Sequence, residues 1–168
     1  ALVADLRRVA DQMAATDEPT GRLAQSIAHT FTTDRKTVIL GAGPNYATAY
    51  FGMAKWFEGL TRPCHTSEME EWAHEQYFIT GENTDTILIL PPGGSRDRGL
   101  EQAQAAREMG SRIIVIGEEG DAGLVAECGE VVHPGEAHDL PPRVRRVAGL
   151  AGMLVGEELA GLAGLAVQ

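Results

Sequence analysis

Two pairs of ionisable residues have a spacing that suits catalysis. Lys55 and Glu58 lie three positions apart, and so do Glu71 and His74. Residues three apart lie side by side on a helix, so each pair presents its two groups together. A carboxylate beside a cation that holds it ionised is the kind of base that removes a proton next to a carbonyl group. The alternatives are a surface ion pair at Lys55 and Glu58 and a solvated helix face at Glu71 and His74.

The Glu71–His74 unit also resembles half of a metal site. A di-iron bundle needs two such units and two further carboxylates in a four-helix frame, and the sequence shows neither. We therefore predict no metal and no cofactor. The functional alternative is an imidazole that titrates near a ligand pocket.

A glycine turn precedes the first of these pairs. Residues 37–40 form a β-branched, apolar run, and Gly41-Ala42-Gly43 then turns the chain into a helix that begins near Pro44. A strand, a glycine turn and a helix in this order present backbone N–H groups to an anion. We therefore expect Gly41, Gly43, Asn45 and Tyr46 to bind a ligand. The alternative is an ordinary tight turn, and the missing third glycine argues against a dinucleotide.

A second loop, at residues 91–96, follows another apolar run. Arg96 is placed to clamp a phosphate group. Ser95 either contributes to the same site or caps the next helix.

The rest of the sequence alternates strands with helices. Such alternation predicts a three-layer α/β/α domain with a five-stranded parallel sheet in the flavodoxin-like order 2-1-3-4-5. In such a sheet, both loops lie at the carboxyl edge of the strands. The predicted strands are 37–40, 62–66, 86–90, 113–116 and 130–133. The predicted helices are 1–15, 20–30, 45–58, 68–78, 96–109, 122–127 and 140–166, with a break at 16–20 around Pro19, a cap at Ser67 and a C-cap at Gly59.

Composition narrows the class of protein. The 168 residues suit one domain, and the formal charge of −10 argues against a nucleic-acid partner. No apolar run is long enough to span a membrane, and no signal peptide is visible. Two distant cysteines without metal spacing favour a reducing cytoplasm.

At these motifs the sequence resembles the SIS (sugar isomerase) domain. It is most similar to the second SIS half of the isomerase part of glucosamine-6-phosphate synthase and to related sugar-phosphate deaminases and deglycases. That half has a strand, G-x-G, a helix containing A-L-K-L-K-E, and then G-E-x-x-H-G-P. Here residues 41–43 stand in the place of G-x-G, residues 54–58 in that of A-L-K-L-K-E, and residues 71–74 in that of E-x-x-H, with Glu75 and Gln76 in the place of the Gly-Pro.

The resemblance implies roles for three residues. Glu58 matches the glutamate that moves a proton between C1 and C2 of the sugar, and Lys55 matches the lysine of the same motif. His74 matches the histidine that assists ring opening in the site of a neighbouring subunit. We expect Glu58 to be partly buried and to face a cavity.

We therefore expect residues 1–168 to form a single SIS domain, with bridging helices at 1–33 and the α/β core with its C-terminal helix at 34–168. Its predicted ligand is a sugar phosphate, and its predicted partner is a second SIS domain, in a homodimer or as a first half. The function expected is that of a sugar-phosphate isomerase, deaminase or deglycase. The alternative is a non-catalytic module that senses a phosphosugar.

Overall fold

The computed structural model describes residues 2–28, 31–32, 34–118, 121, 123–124 and 130–132. Helices and strands alternate along these ranges. The helices are α1 (Leu2–Ala28), α2 (Pro44–Leu60), α3 (Met69–His74) and α4 (Arg96–Glu108), with a 3₁₀ turn at Gln76–Ile79. The strands are β1 (Lys36–Gly41), β2 (Cys64–Glu68), β3 (Thr84–Leu90), β4 (Arg112–Gly117) and β5 (Glu130–Val132).

The five strands form one sheet in the order β2-β1-β3-β4-β5, and all neighbouring pairs are parallel. This confirms the predicted order. The chain reverses direction across the sheet between β1 and β3, because β2 lies on one side of β1 and β3 on the other. Open α/β sheets bind ligands at this switch point, outside the carboxyl ends of the strands.

Side chains that alternate along the strands build a core on each face of the sheet. Val38 and Leu40 pack with Met69 and Trp72 of α3 and with residues of α4. On the opposite face, Ile39 packs with residues of α2, and the end of α1 covers the same side. Apolar burial on both faces explains why β1, β3 and β4 contain continuous hydrophobic runs.

A buried ion pair joins the amino ends of β1 and β3. The Asp85 side chain of β3 is 1% exposed, and Arg35, just before β1, donates from Nε to its Oδ1 at 2.8 Å. Arg35 also donates to the backbone oxygens of Glu82 and Thr84. Arg112 of β4 lies 4.0 Å from the same carboxylate. The strands that carry the two candidate loops are thus tied together at their other end.

The predicted break at residues 16–20 is wrong. A single helix, α1, runs through Pro19 from Leu2 to Ala28. Proline inside a helix costs about 3 kcal/mol because it removes one hydrogen bond and clashes with the preceding turn. The helix-forming segments on both sides of Pro19 outweigh that penalty.

Two predicted caps are also wrong. Ser67 is buried in β2, and Glu68 caps α3 instead by accepting a hydrogen bond from the Glu70 N–H at 2.7 Å. Helix α2 continues past Gly59 to Leu60, and its C-cap is Thr61, whose φ of 50° is left-handed. The last predicted strand is confirmed at Glu130–Val132. Of the predicted helix at 122–127, Gly123 and Leu124 are helical, and the remainder lies outside the described residues, as does the whole predicted helix at 140–166.

Among the helices that the structure describes, none is long and apolar enough to cross a membrane.

Candidate functional site

The glycine turn is fixed by close backbone packing. A Cβ atom at Gly41 would lie 2.3 Å from the backbone oxygen of Asn45, so no other residue fits there without moving the first turn of α2. Gly43 has φ 55° and ψ −124°, a conformation that glycine adopts far more readily than other residues. Pro44 occupies the first turn of the helix, as predicted.

The turn offers fewer free N–H groups than the sequence suggested. The Asn45 N–H donates to the oxygen of Ala42 at 3.1 Å, and the Tyr46 N–H donates to the oxygen of Gly43 at 3.0 Å. Pro44 has no N–H group. Asn45 is 3% exposed, whereas Tyr46 is 37% exposed and open to a ligand. These two N–H groups are therefore not free to bind an anion.

The loop after β3 lies at the same edge of the sheet. Gly41 of β1 is paired with Ile89 of β3, so both strands end at the same level. The expectation that the loops at 41–45 and 91–96 share one edge is confirmed. Ser95 precedes α4, but its side chain makes no capping hydrogen bond.

Arg96 is engaged by two carboxylates. Its Nε donates to Asp121 Oδ2 at 2.6 Å, Nη2 also donates to Asp121, and Nη1 donates to Asp97 Oδ1 at 2.9 Å. The hydrogen bonds from Arg96 hold the pKa of Asp121 below its usual value, and Asp121 raises the pKa of Arg96. Asp121 also accepts from the N–H groups of Gly123 and Leu124. Arg96 thus joins the start of α4 to the loop after β4.

Lys55 and Glu58 form the predicted pair. Lys55 Nζ lies 2.5 Å from Glu58 Oε2, and it also lies 5.3 Å from the centre of the Phe51 ring. The expectation of a partly buried Glu58 is wrong for this chain, because its side chain is 63% exposed. The buried side of α2 is formed by other residues of the helix, which include Ala49, Gly52 and Trp56.

The glycine turn and Glu58 lie at opposite ends of α2. Glu58 is fourteen residues beyond Pro44, and a helix rises about 1.5 Å per residue, so about 21 Å separates them along the axis. Because α2 returns from the carboxyl end of β1 to the amino end of β2, Glu58 is near the amino edge of the sheet. One small ligand cannot contact both within one chain.

Glu71 and His74 lie on the other face of the sheet. They are exposed residues of α3, which packs through Met69 and Trp72 on the core opposite α2. The sheet therefore separates His74 from Glu58 of the same chain. This separation agrees with the expectation that His74 serves a site across a subunit boundary, which stays a prediction.

Sequence reasoning missed two partners in this region. Asp121 lies 25 positions beyond Arg96, and Arg98 of α4 binds Glu70 of α3 through two hydrogen bonds at 2.6 and 3.1 Å. Arg98 also lowers the pKa of Glu70, mainly by hydrogen bonding. No local sequence pattern predicts such long-range pairs, although an acidic residue after β4 is a weak indication of the Arg96–Asp121 pair. Within the described ranges, no group of three or more metal-ligating side chains converges.

The sequence has a curated relative but no matching family model. The glutamine–fructose-6-phosphate aminotransferase (isomerizing) of Nostoc sp. (strain PCC 9229) is 25% identical over 126 residues. The match covers 74% of this chain and 20% of that enzyme. The chain thus spans about a fifth of the relative's length.

Several solved structures share the fold. The C-terminal domain of the glucosamine–fructose-6-phosphate aminotransferase of Francisella tularensis has a TM-score of 0.74 at 16% identity, with 96% of this chain and 44% of that chain covered. Tagatose-6-phosphate ketose/aldose isomerase from Escherichia coli has a TM-score of 0.72 at 16% identity, over 95% and 43%. A ligand-bound protein of the E. coli strain CFT073 has a TM-score of 0.66 at 18% identity, over 96% and 92%. At such identities the likeness concerns the fold. The chain therefore has the α/β fold of the sugar isomerase (SIS) domain, as the motifs predicted.

Proposed function

We propose that residues 1–168 form a single SIS domain that binds a phosphosugar within a sugar-phosphate isomerase, deaminase or deglycase. The observation that carries this proposal is the Lys55–Glu58 pair. The ammonium contacts the carboxylate at 2.5 Å, and the carboxylate remains largely open to solvent. An accessible carboxylate at the position of the family's catalytic glutamate suits proton transfer at carbon.

In the proposed reaction, His74 of a neighbouring SIS domain assists opening of the sugar ring. Glu58 then removes the proton from the carbon beside the carbonyl group and returns it to the adjacent carbon. A proton also passes from the hydroxyl oxygen of the first carbon to the former carbonyl oxygen, so the steps interconvert an aldose and a ketose without net gain or loss of a proton. Lys55 orients the Glu58 carboxylate through the contact at 2.5 Å.

Ligand binding is assigned to the carboxyl edge of the sheet. Tyr46 and Asn45 stand at the glycine turn, and Ser95 and Arg96 stand on the facing loop. Glu71 is proposed to contact sugar hydroxyl groups from α3. Since Glu58 lies about 21 Å along α2 from the turn, a second SIS domain has to supply part of each site.

Turnover assays with fructose-6-phosphate and amino-sugar phosphates test the proposal. Glu58→Gln keeps the shape and removes the base, so turnover is expected to fall by about 10²–10⁴-fold while calorimetric binding of the ligand is retained. Glu108→Gln, an exposed change on α4, is the matched control and should leave turnover unchanged. Equal turnover in wild type and Glu58→Gln with a confirmed substrate would show the catalytic assignment to be wrong.

A second candidate function is that of a non-catalytic phosphosugar sensor. It is favoured by the ion pairs of Arg96, whose guanidinium already donates hydrogen bonds to Asp121 and Asp97. A sensor would bind the same ligands in calorimetry without turning any of them over.

A further inference from the structure

Helix α3, which carries His74, is too short to fix its own position. It has six residues, and isolated helices below about 12–15 residues are only marginally stable in water. The sequence after it also lacks the rigid ending of the SIS motif, because Glu75 and Gln76 stand where the motif has Gly-Pro. The contacts of α3 with the rest of the domain therefore determine where His74 lies.

Helix α4 contacts the first residue of α3 in two ways. A Cβ atom at Gly99 would lie 2.2 Å from Leu90 Cδ2 and 2.8 Å from Met69 Cε, so glycine is what lets the Met69 side chain lie against α4. Gln102, three positions further along α4, is 3% exposed, and its Nε2 donates to the backbone oxygen of Met69 at 2.9 Å. The start of α3 is thus fixed by close packing and by a buried hydrogen bond.

Arg98 contacts the second residue of α3 from the exposed side. Its Nε and Nη2 donate to the two carboxylate oxygens of Glu70 at 2.6 and 3.1 Å, and its Nη1 donates to Glu101 at 2.9 Å. A guanidinium bound to both oxygens fixes the direction of a carboxylate as well as its distance. The motif G-E-x-x-H-G-P has glycine at the position of Glu70, so this contact belongs to this chain and not to the motif.

Glu70 lies one helical turn before His74. Residues four positions apart are neighbours on a helix surface, with about 5–6 Å between their Cβ atoms. The contacts from α4 therefore act on the turn of α3 that precedes His74. A displacement of about 1 Å in a catalytic group can lower a reaction rate by about 10²-fold. An imidazole on so short a helix depends on contacts of this kind.

We propose that Arg98 and Gln102 are positioning residues for His74, because from α4 they fix α3 in the place from which the imidazole reaches the sugar. The inference rests on the proposed function and adds two residues outside the motif to the step of ring opening. The Arg98–Glu70 pair is about half exposed, so it contributes little to the stability of the whole domain. Its loss should therefore be measurable at α3 and not in the sheet.

Amide hydrogen exchange tests the contacts on α3 without a substrate. Arg98→Met keeps the apolar stem of the side chain, and Gln102→Met keeps its shape and removes the amide. Each substitution should speed up exchange at the amides of His74 and Glu75 by about fivefold, while the amides of β1 and β3 keep their rates. Gln104→Met, the same change at an exposed position of α4, is the matched control and should leave the exchange of α3 unchanged.

Steady-state kinetics test whether these contacts serve catalysis. With a sugar phosphate that the wild type turns over, Arg98→Met should lower kcat by about tenfold and change KM by less than about twofold. The reason is that the orientation of His74 affects the chemical step and not the binding of the ligand. Arg98→Lys keeps the charge and loses the two-point contact, so it should recover part of kcat.

Three results would overturn the proposal. The first is unchanged exchange at α3 in both methionine variants. The second is faster exchange throughout the sheet, which would show a loss of global stability and not a displaced α3. The third is a raised KM with an unchanged kcat in Arg98→Met, since Arg98 would then bind the ligand itself. A wild type without turnover would refute the proposed function, whereas faster exchange confined to α3 would still confirm that α4 fixes this helix.

Discussion

Replacing Arg35 by methionine leaves the buried Asp85 carboxylate without its ion-pair partner at the amino ends of β1 and β3. Asp85 is fully buried, and Arg35 is its contact at 2.8 Å. The substitution preserves most of the apolar stem and removes the charge. It also removes the hydrogen bonds from Arg35 to the backbone oxygens of Glu82 and Thr84. The other nearby cation, Arg112, is 4.0 Å from the carboxylate.

The expected loss of stability is about 3 kcal/mol. Removing one partner of a buried ion pair costs about 3–5 kcal/mol, because the remaining charge stays buried without compensation. We take the lower end because Arg112 still compensates part of the Asp85 charge. The exposed Lys55–Glu58 pair provides the contrast, since such pairs contribute about 0–1 kcal/mol.

Urea denaturation of Arg35→Met, Lys55→Met and the double variant Arg35→Met with Asp85→Leu measures these differences. Arg35→Met should lower the free energy of unfolding by about 3 kcal/mol, and Lys55→Met by less than about 1 kcal/mol. The double variant should recover much of the lost free energy of unfolding, because the buried Asp85 charge is then removed as well. A loss below about 1 kcal/mol for Arg35→Met, or a double variant less stable than the single one, would refute the reasoning.

Two further predictions concern the carboxyl edge. Gly41→Ala forces a Cβ atom against the backbone of α2 and should destabilise the chain by about 1–3 kcal/mol. Gly94→Ala has open space around its Cβ atom and should change stability little. Equal effects of the two substitutions in thermal unfolding would contradict this prediction. Asp121 has a lowered pKa through Arg96, so its ionised form stabilises the fold above the unfolded pKa of about 3.9 and loses this effect as the pH falls through the lower folded value. Asp121→Asn should therefore cost about 1 kcal/mol at pH 7 and almost nothing near pH 2, and an equal cost at both pH values would show that the charge is irrelevant.

The sheet was predictable because its strands have a recognisable local sequence pattern. The runs at 86–90 and 113–116 are β-branched and apolar, and each is followed by a helical pattern. The alternation fixed the parallel order that the structure shows. Helix α1 was not predictable in the same way, because the penalty of Pro19 is local and the contribution of the flanking helical segments is not.

The orientation of α2 was ambiguous for a physical reason. The helix contains two charged residues, so apolar side chains surround most of it and more than one face suits a core. In the structure Tyr46, Tyr50 and Phe57 are exposed, whereas Ala49 and Trp56 are buried. Small residues decide such cases, because Ala49 and Gly52 let the helix approach the sheet closely. The position of Glu58 on the helix was correct, but its exposure depends on that orientation.

Asp121 and Asp97 bind Arg96 with different strengths, and this difference predicts how a phosphate group binds to Arg96. Asp121 is 18% exposed and is fixed by the N–H groups it accepts from, whereas Asp97 is 91% exposed and contributes about 0–1 kcal/mol as a surface partner. A phosphate group should therefore displace Asp97 from Arg96 and leave Asp121 in place. Asp97→Asn removes the competitor, and it should tighten binding of fructose-6-phosphate by up to about fivefold in calorimetry. The same substitution at Asp121 should weaken binding, because it loosens the loop that holds Arg96. If Asp97→Asn instead leaves the affinity unchanged while ligand binding is otherwise established, the phosphate is bound elsewhere, and Arg96 serves only to join α4 to the loop after β4.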